Sequence, residues 1–311
     1  MEMRTRVLKE LKKSTGIVSG EHISRQLKIS RVAVWKHIQK LLQAGYEITS
    51  GPTGYRLVSA PDTPFPWEFP ERETRIHYFP EVDSTMDVAR QMARDDCPDY
   101  TVVIAEIQRK GRGRLDRLWE SERGGLYFTL VLRPDISPPQ APLVSFAASL
   151  ELAQTIREFC GVPAAVKWPN DILVHDKKLS GMLSEMETES DRISFINIGI
   201  GINVNNTPPA GTPAAVSLQS LAGKPLSRKA LLEAYLNRLE ARLRTLDLNR
   251  TIAAWKRISA TLGREVTVTT RKNVTQGTAV DVDDSGALMV RTADGTLQKI
   301  YYGDCFHTPQ A

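Results

Sequence analysis

Two hydrophobic rhythms divide the chain. The first runs through the opening sixty residues at helical spacing. Val7, Leu8 and Leu11 mark one helix over Thr5–Lys13, and a short second helix runs as far as Leu27 with Ser19 or Gly20 near its N-cap. After the turn Lys28-Ile29, Ser30 is placed to cap a longer helix, in which Val34, Ile38, Leu41 and Leu42 form an inward stripe and Gly45 ends the run. Trp35 and Ile38 are expected to lie at least partly in the core. Two extended pieces, Tyr46–Thr49 and Tyr55–Val58, flank the turn Ser50-Gly51-Pro52-Thr53-Gly54. Short helix, tight turn, longer helix and hairpin predict a winged helix-turn-helix over residues 1–60. Pro61, Pro64, Pro66 and Pro70 then punctuate a stretch with little periodicity, which predicts a linker over 61–74.

From Arg75 the rhythm changes to strands alternating with helices. Ile76–Phe79 reads as a strand, Ser84 and Thr85 open a helix through Asp95, and Thr101–Ile107 and Leu126–Arg133 read as strands. Leu143–Phe159 is an apolar helix. In Ile196–Asn205 the alternation is strict: Ile196, Ile198, Ile200, Ile202 and Val204 share one face, and the other carries only Asn197, Gly199, Gly201, Asn203 and Asn205. A strand face stripped of bulk suits a sheet on which a flat group lies; a glycine-rich twist in a core strand is the plainer alternative. Ser227 caps an amphipathic helix carrying Leu231, Leu232, Tyr235, Leu236, Leu239 and Leu243, and a second helix is predicted over Thr251–Leu262. Beyond Gly263, short strands at Glu265–Thr270, Gly277–Val282, Leu288–Thr292 and Gln298–Tyr301 predict a small SH3-like barrel. The fold class is therefore α+β, with domains at 1–60, 75–262 and 263–311 around the linker.

Charge sharpens this division. The whole chain carries a formal +5, yet residues 1–58 hold eleven Lys/Arg against four Asp/Glu, so the remainder is slightly acidic. A basic excess confined to the helix-turn-helix is the footprint of a nucleic-acid-binding module on a near-neutral body. On it Ser30, Arg31, Lys36, His37, Lys40 and Arg56 are the candidate DNA-contacting residues. A small helical protein-interaction module is the competing reading. Cys97, Cys160 and Cys305 stand far apart in no metal-ligand spacing, which fits reduced thiols of a cytoplasmic protein, and no apolar run predicts a membrane span.

Candidate chemistry concentrates in Gln108–Trp119, between two predicted strands, where Arg109, Lys110, Arg112, Arg114 and Arg117 surround Gly111 and Gly113. Glycine permits close backbone approach to a ligand, and arginine forks suit carboxylate and phosphate. Such a loop is suited to cover an anion with more than one negative group; a solvated basic loop or an RNA-binding Arg-Gly patch would share the composition. Ser84 and Thr85 cap a helix, where free N–H groups also suit a polar head group. The cluster Trp168-Pro169-Asn170-Asp171 between apolar runs needs partners for its polar groups.

Taken together, Gly111-Arg112-Gly113-Arg114 with Arg117 and Trp119, Lys167-Trp168-Pro169-Asn170-Asp171, Lys178–Glu185 and Gly199-Ile200-Gly201-Ile202-Asn203 resemble the motifs of biotin–protein ligases, in that family's order. With the N-terminal helix-turn-helix, the chain resembles the bifunctional bacterial form, both ligase and biotin-operon repressor. The resemblance implies a central mixed sheet of the class II aminoacyl-tRNA synthetase-like type. It implies biotin held by Ser84, Thr85, Gln108, Arg112, Gly113, Arg114 and Lys178. ATP or the adenylate would meet Arg112, Arg114, Arg117, Trp119, Asn170 and Asn203, and Mg²⁺ would accompany the nucleotide without a dedicated protein metal site. Arg114, Lys178 and Asp171 would be the catalytic groups. The implied partners are a biotin carboxyl carrier protein of acetyl-CoA carboxylase or pyruvate carboxylase, operator DNA and a second copy in a homodimer. Met86 stands where some members have Asn, and Leu115-Asp116-Arg117 where some continue Arg-Gly-Arg.

The expected chemistry follows from charge. A carboxylate attacking the α-phosphate of ATP brings anions together, and fixed cations offset that repulsion. A closing loop would shield the acyl-adenylate from water until a lysine amine attacks it. A non-catalytic biotin-sensing repressor and a ligase for a related acyl group such as lipoate are the alternatives.

Overall fold

The computed structural model describes residues 2–208, 214–245 and 248–308, apart from the side chains of Asp116, Leu248 and Asn249. The chain divides into two compact units, Met1–Tyr78 and Phe79–Ala311.

In the first unit, helices α1 (Met3–Lys12), α2 (Gly20–Leu27) and α3 (Arg31–Gln43) precede the hairpin β1 (Glu47–Gly51) and β2 (Gly54–Ser59). The caps are those the sequence offers: Ser19 Oγ accepts from His22 N at 3.0 Å and Ser30 Oγ from Ala33 N at 3.1 Å. Val7, Leu8, Leu11, Ile23, Val34, Ile38 and Leu41 close the core. Trp35 differs from expectation. It is 51% exposed, because Val34, Ile38 and Leu41 already fill the inward face of α3.

The proline-rich stretch expected to be a linker is folded onto this unit. Phe65 stacks on Trp67 at 4.4 Å, Trp67 Nε1 donates to Tyr46 Oη at 2.9 Å, and Arg4 lies over the indole at 4.2 Å. Phe69 is buried, Glu68 pairs with Lys12, and Glu73 accepts from the Glu2 backbone and Thr5 hydroxyl. Four prolines suggested an open spacer; the aromatic residues between them find apolar partners and fix it instead.

From Ile76 onward, seven strands make one sheet. In chain order the elements are β3 (Ile76–Val82), α4 (Thr85–Arg94), β4 (Thr101–Gln108), β5 (Leu126–Leu132), α5 (Ala141–Cys160), β6 (Ala165–Lys167), β7 (Asp171–Val174), β8 (Lys177–Glu189) and β9 (Arg192–Ile202). Strand order is β3-β4-β5-β9-β8-β7-β6. The registers described between these strands are antiparallel, and parallel bridges join Val166 to Ser259 and Lys178 to Ala215 at the margin. β8 continues the motif at Lys178–Glu185 as thirteen strand residues, turned from β7 through His175 and Asp176, both in the left-handed region at φ 48 and 59.

Helices α6 (Leu218–Ala222), α7 (Arg228–Thr245) and α8 (Leu248–Arg257) follow. The last ends before the predicted Leu262. Trp255 is fully buried, after which the chain leaves the helix and bonds to β6 through Ile258 O and Ala260 N. A separate five-stranded antiparallel sheet completes the chain: β10 (Glu265–Thr269), β11 (Val274–Val282), β12 (Leu288–Arg291), β13 (Leu297–Ile300) and β14 (Asp304–His307), in the order β13-β12-β11-β10-β14. β14 is one strand more than the periodicity predicted. Trp168 locks this sheet to the larger one, its Nε1 donating to Gly286 O at 3.0 Å and its backbone N to Thr261 Oγ1 at 3.0 Å. Among the described residues no helix is long and apolar enough to cross a membrane.

Candidate active site

β4 delivers Gln108 to a cavity of about 750 Å³, and the basic loop supplies part of its wall. The loop is a narrow excursion. Gln108 bridges Ser121, Trp119 N donates to Gly111 O at 2.8 Å, and Gly113 N donates to Arg117 O at 2.7 Å. Gly111 is needed for this closeness: a Cβ there would overlap Trp119 O and stand 2.8 Å from Ser121 Oγ. Leu115, at the tip, sits in the left-handed region at φ 50. The side chain of Asp116, in the stretch where some members continue Arg-Gly-Arg, lies outside the described residues.

The bare face of β9 is where a flat group lies, and the group is the loop's own indole. A Cβ at Gly201 would overlap Trp119 Nε1 and Cε2, and one at Gly181 would stand 2.9 Å from Cζ3. A Cβ at Gly199 would meet Met86 Sδ at 2.6 Å. Trp119 Nε1 is buried without a hydrogen-bond partner.

Thr85, Gln108, Arg112, Gly113, Arg114, Arg117, Trp119, Asn170, Asp171, Lys178 and Asn203 all line the cavity. Lys178 Nζ stands 2.8 Å from Asp171 Oδ1 and 5.4 Å from the centre of the Trp119 ring. Arg114 donates to Asn170 Oδ1 at 3.2 Å; burial holds its pKa below the usual guanidinium value, opposed by the charges of Asp304 and Asp171. Arg112 reaches Glu185 at 2.6 Å and Asp87 at 3.1 Å. Gln108 Oε1 accepts from the Thr85 backbone at 2.8 Å and hydroxyl at 3.0 Å, while its Nε2 donates to Ser121 Oγ at 2.8 Å. Asn203 Oδ1 accepts from Asn206 Nδ2 at 3.0 Å.

Ser84, expected among the biotin-binding residues, is not brought to the cavity wall. It is fully buried and its Oγ is engaged in capping α4, accepting from Met86 N at 3.3 Å. Sequence reasoning missed the wall supplied by β14. Asp304, Cys305 and Phe306 line the cavity; Asp304 pairs with Arg117, and the Arg117 guanidinium lies 5.8 Å from the Phe306 ring centre. Nothing in the local pattern marks that acid, whereas Lys167 and Gly181 stood inside recognisable motifs.

Among the described residues no group of three or more His, Cys, Asp or Glu could hold a metal ion. Asp171 and Asp304 are the aspartates on the cavity wall, each paired to a cation. That donor set fits Mg²⁺ only as an ion carried with phosphate groups, which takes one or two carboxylates rather than a protein cage.

On the first unit, Arg31, Lys36 and Lys40 of α3 and Arg56 of β2 are exposed, and Ser30 caps α3. His37 is half-buried and its Nδ1 has no hydrogen-bond partner. Burial lowers its pKa first, helped by the charges of Lys40 and Arg4.

Comparison with known proteins follows the same division. Residues 78–203 match the model of the biotin/lipoate A/B protein ligase family, residues 261–308 that of the biotin protein ligase C-terminal domain, and residues 4–56 an HTH domain. The chain is 35% identical over 307 residues to the bifunctional ligase/repressor BirA of Bacillus subtilis, covering 92% of this chain and 93% of that one. It is 28% identical over 301 residues to the Escherichia coli protein of the same description, covering 90% and 89%. Among solved structures, the Aquifex aeolicus biotin protein ligase in complex with biotin and ATP superposes with a TM-score of 0.66 at 28% identity, over 76% of this chain and 99% of that one.

Proposed function

The chain belongs to the biotin/lipoate A/B protein ligase family, in its bifunctional ligase/repressor form, and on that premise we propose how its residues carry the two activities. It is an ATP-dependent biotin ligase joined to a biotin-responsive helix-turn-helix repressor. One observation supports the enzymatic half above all: Arg114, Arg117, Lys178 and Trp119 converge on a single cavity large enough for a small acid and a nucleotide.

In the first half-reaction a biotin carboxylate oxygen attacks the α-phosphorus of ATP and pyrophosphate leaves. Arg114 and Lys178 oppose the repulsion between the two anions and stabilise the charge that grows on the phosphoryl oxygens. Arg117 meets the phosphate chain, exchanging Asp304 for it. Asp171 or Asp304 would hold Mg²⁺ carried in with the nucleotide, which would supply further neutralisation. Thr85, Gln108 and Gly113 offer polar contacts to the ureido ring, and Arg112, tethered by Asp87 and Glu185, anchors the loop that closes on the acid. Trp119, with a free indole N–H and a flat face, borders the adenine together with Asn170 and Asn203.

In the second half-reaction the ε-amine of a carrier-protein lysine attacks the acyl carbon of biotinyl-5′-AMP, and AMP leaves. Asp171, paired with Lys178 at 2.8 Å, orients the amine and takes its proton. The carrier is that of a biotin-dependent carboxylase, such as acetyl-CoA or pyruvate carboxylase. Repression follows from a homodimer matching two half-sites of operator DNA, in the cytoplasm.

Biotin-dependent exchange of labelled pyrophosphate into ATP tests the ligase reading. No exchange would leave a sensing-only repressor, and exchange driven by lipoate instead would change the acid. Asp171→Ala is expected to keep exchange and lose transfer to the carrier. Unimpaired transfer removes Asp171 from the second step.

A further inference from the structure

The outer surface of α3 is not uniformly polar. Val32 is 63% exposed and Trp35 51%, although both stand in the most basic part of the chain. Neither packs into the core of the unit, which α3 closes with Val34, Ile38 and Leu41. They lie three residues apart, so they are neighbours on the helix surface, with Lys36 and Lys40 exposed beside them and Arg31 at the helix start. An apolar pair ringed by cations matches a surface that is anionic at its margins and apolar at one point.

A DNA major groove presents such a surface. Phosphates flank it, and the one apolar group among its base edges is the 5-methyl of thymine. The N-terminal residues of a recognition helix are those that meet base edges, and Val32 is in the first turn of α3, with Trp35 one turn further. We propose that Val32 and Trp35 form a thymine-methyl reading surface in the major groove, while Arg31, Lys36 and Lys40 hold the flanking phosphates. This rests on the repressor reading above and adds which side chains carry sequence information. The cations contribute affinity and salt dependence; the apolar pair contributes discrimination.

The test uses the full-length protein with biotin and MgATP. Wild-type protein first selects duplexes from a randomised pool. Each thymine of the selected duplex is then replaced singly by uracil, which keeps its pairing and O4 but lacks the methyl. Loss of one buried methyl should weaken binding about fourfold at the contacted positions. Val32→Ala and Trp35→Ala should bind more weakly, lose their sensitivity to uracil at one such position each, and keep the wild-type dependence on salt. Lys36→Ala should do the reverse, keeping uracil sensitivity while its salt slope falls by about one. The uracil scan on wild-type protein does not depend on any variant folding. Indifference to uracil at every position, or equal sensitivity in Val32→Ala and Trp35→Ala, overturns the inference with repression intact. A pool that yields bound DNA without sequence preference overturns it as well, and failure to bind any DNA removes the repressor reading with it.

Discussion

Gly201→Ala puts one methyl group where the structure has no room for it. Gly201 lies on β9, paired on one side with Tyr127 of β5 and on the other with Gly181 of β8, so the backbone is held from both sides. The new Cβ would overlap Nε1 and Cε2 of Trp119 and stand 2.9 Å from Cζ2. Because the strand cannot retreat, the indole must move, and it drags the loop, tied at Trp119 N to Gly111 O at 2.8 Å. Overpacking of this kind costs about 1–3 kcal/mol. Expressed as lost transition-state stabilisation, that is about a 5- to 150-fold fall in kcat/KM for biotin-dependent pyrophosphate exchange. Gly181→Ala should be milder, since its Cβ meets Cζ3 at 2.9 Å and otherwise the flexible end of Lys178 at 3.2 Å. Exchange and thermal melting are measured on both variants and on Gly201→Ala in a Trp119→Ala background, where the added methyl should cost much less. Wild-type exchange in Gly201→Ala, or an equal penalty with and without the indole, refutes the packing argument.

Other outcomes follow from separate parts of the molecule. Lys178→Met removes the ammonium beside Asp171, and exchange should fall about 100- to 1000-fold while the melting temperature changes little; activity within threefold of wild type would place the carboxylate elsewhere. Arg228→Met breaks the Arg228–Glu106 ion pair at a site where both side chains are only 7% exposed, and urea unfolding should show a loss of about 3–5 kcal/mol. His307 has its pKa lowered to about 4 by burial, then by Lys167 and Arg264. The folded state therefore favours the neutral ring, and the contribution is full above the unfolded value near 6.5 and lost as pH falls from there towards 4. Urea midpoints at pH 7.5 and 5 should converge in His307→Gln relative to wild type, and an unchanged difference would count against the assignment. Ser30→Ala removes the cap on Ala33 N and should destabilise the helix-turn-helix by about 1 kcal/mol in thermal unfolding.

How much of this was legible in the chain depended on whether the signal was local. Caps, stripes and turns are properties of a few neighbouring residues, so Ser19, Ser30, Val34, Ile38 and Leu41 announced the helix-turn-helix directly. The strict alternation of Ile196–Asn205 likewise fixed a face of glycine and asparagine, because a strand has period two. The Gly-Arg loop declared an anion-binding composition for the same reason.

Tertiary structure decided what those local features met. The flat group on the glycine face is Trp119, eighty-two positions before Gly201, and no periodicity links them. Ser84 carried the right hydroxyl for a ligand, yet the helix it starts had the nearer claim on it. Asp304 became the counter-ion of Arg117 only because β14 pairs with β10 and brings the end of the chain to the cavity wall. Composition read Pro61–Pro70 as a spacer, while Phe65 and Trp67 pack on the core of their own unit and Trp67 reaches Tyr46 and Arg4, more than twenty positions away. Hydrogen bonding and periodicity act over a few residues and can be read in order; packing and charge pairing act through space, and only the folded chain says which residues are neighbours.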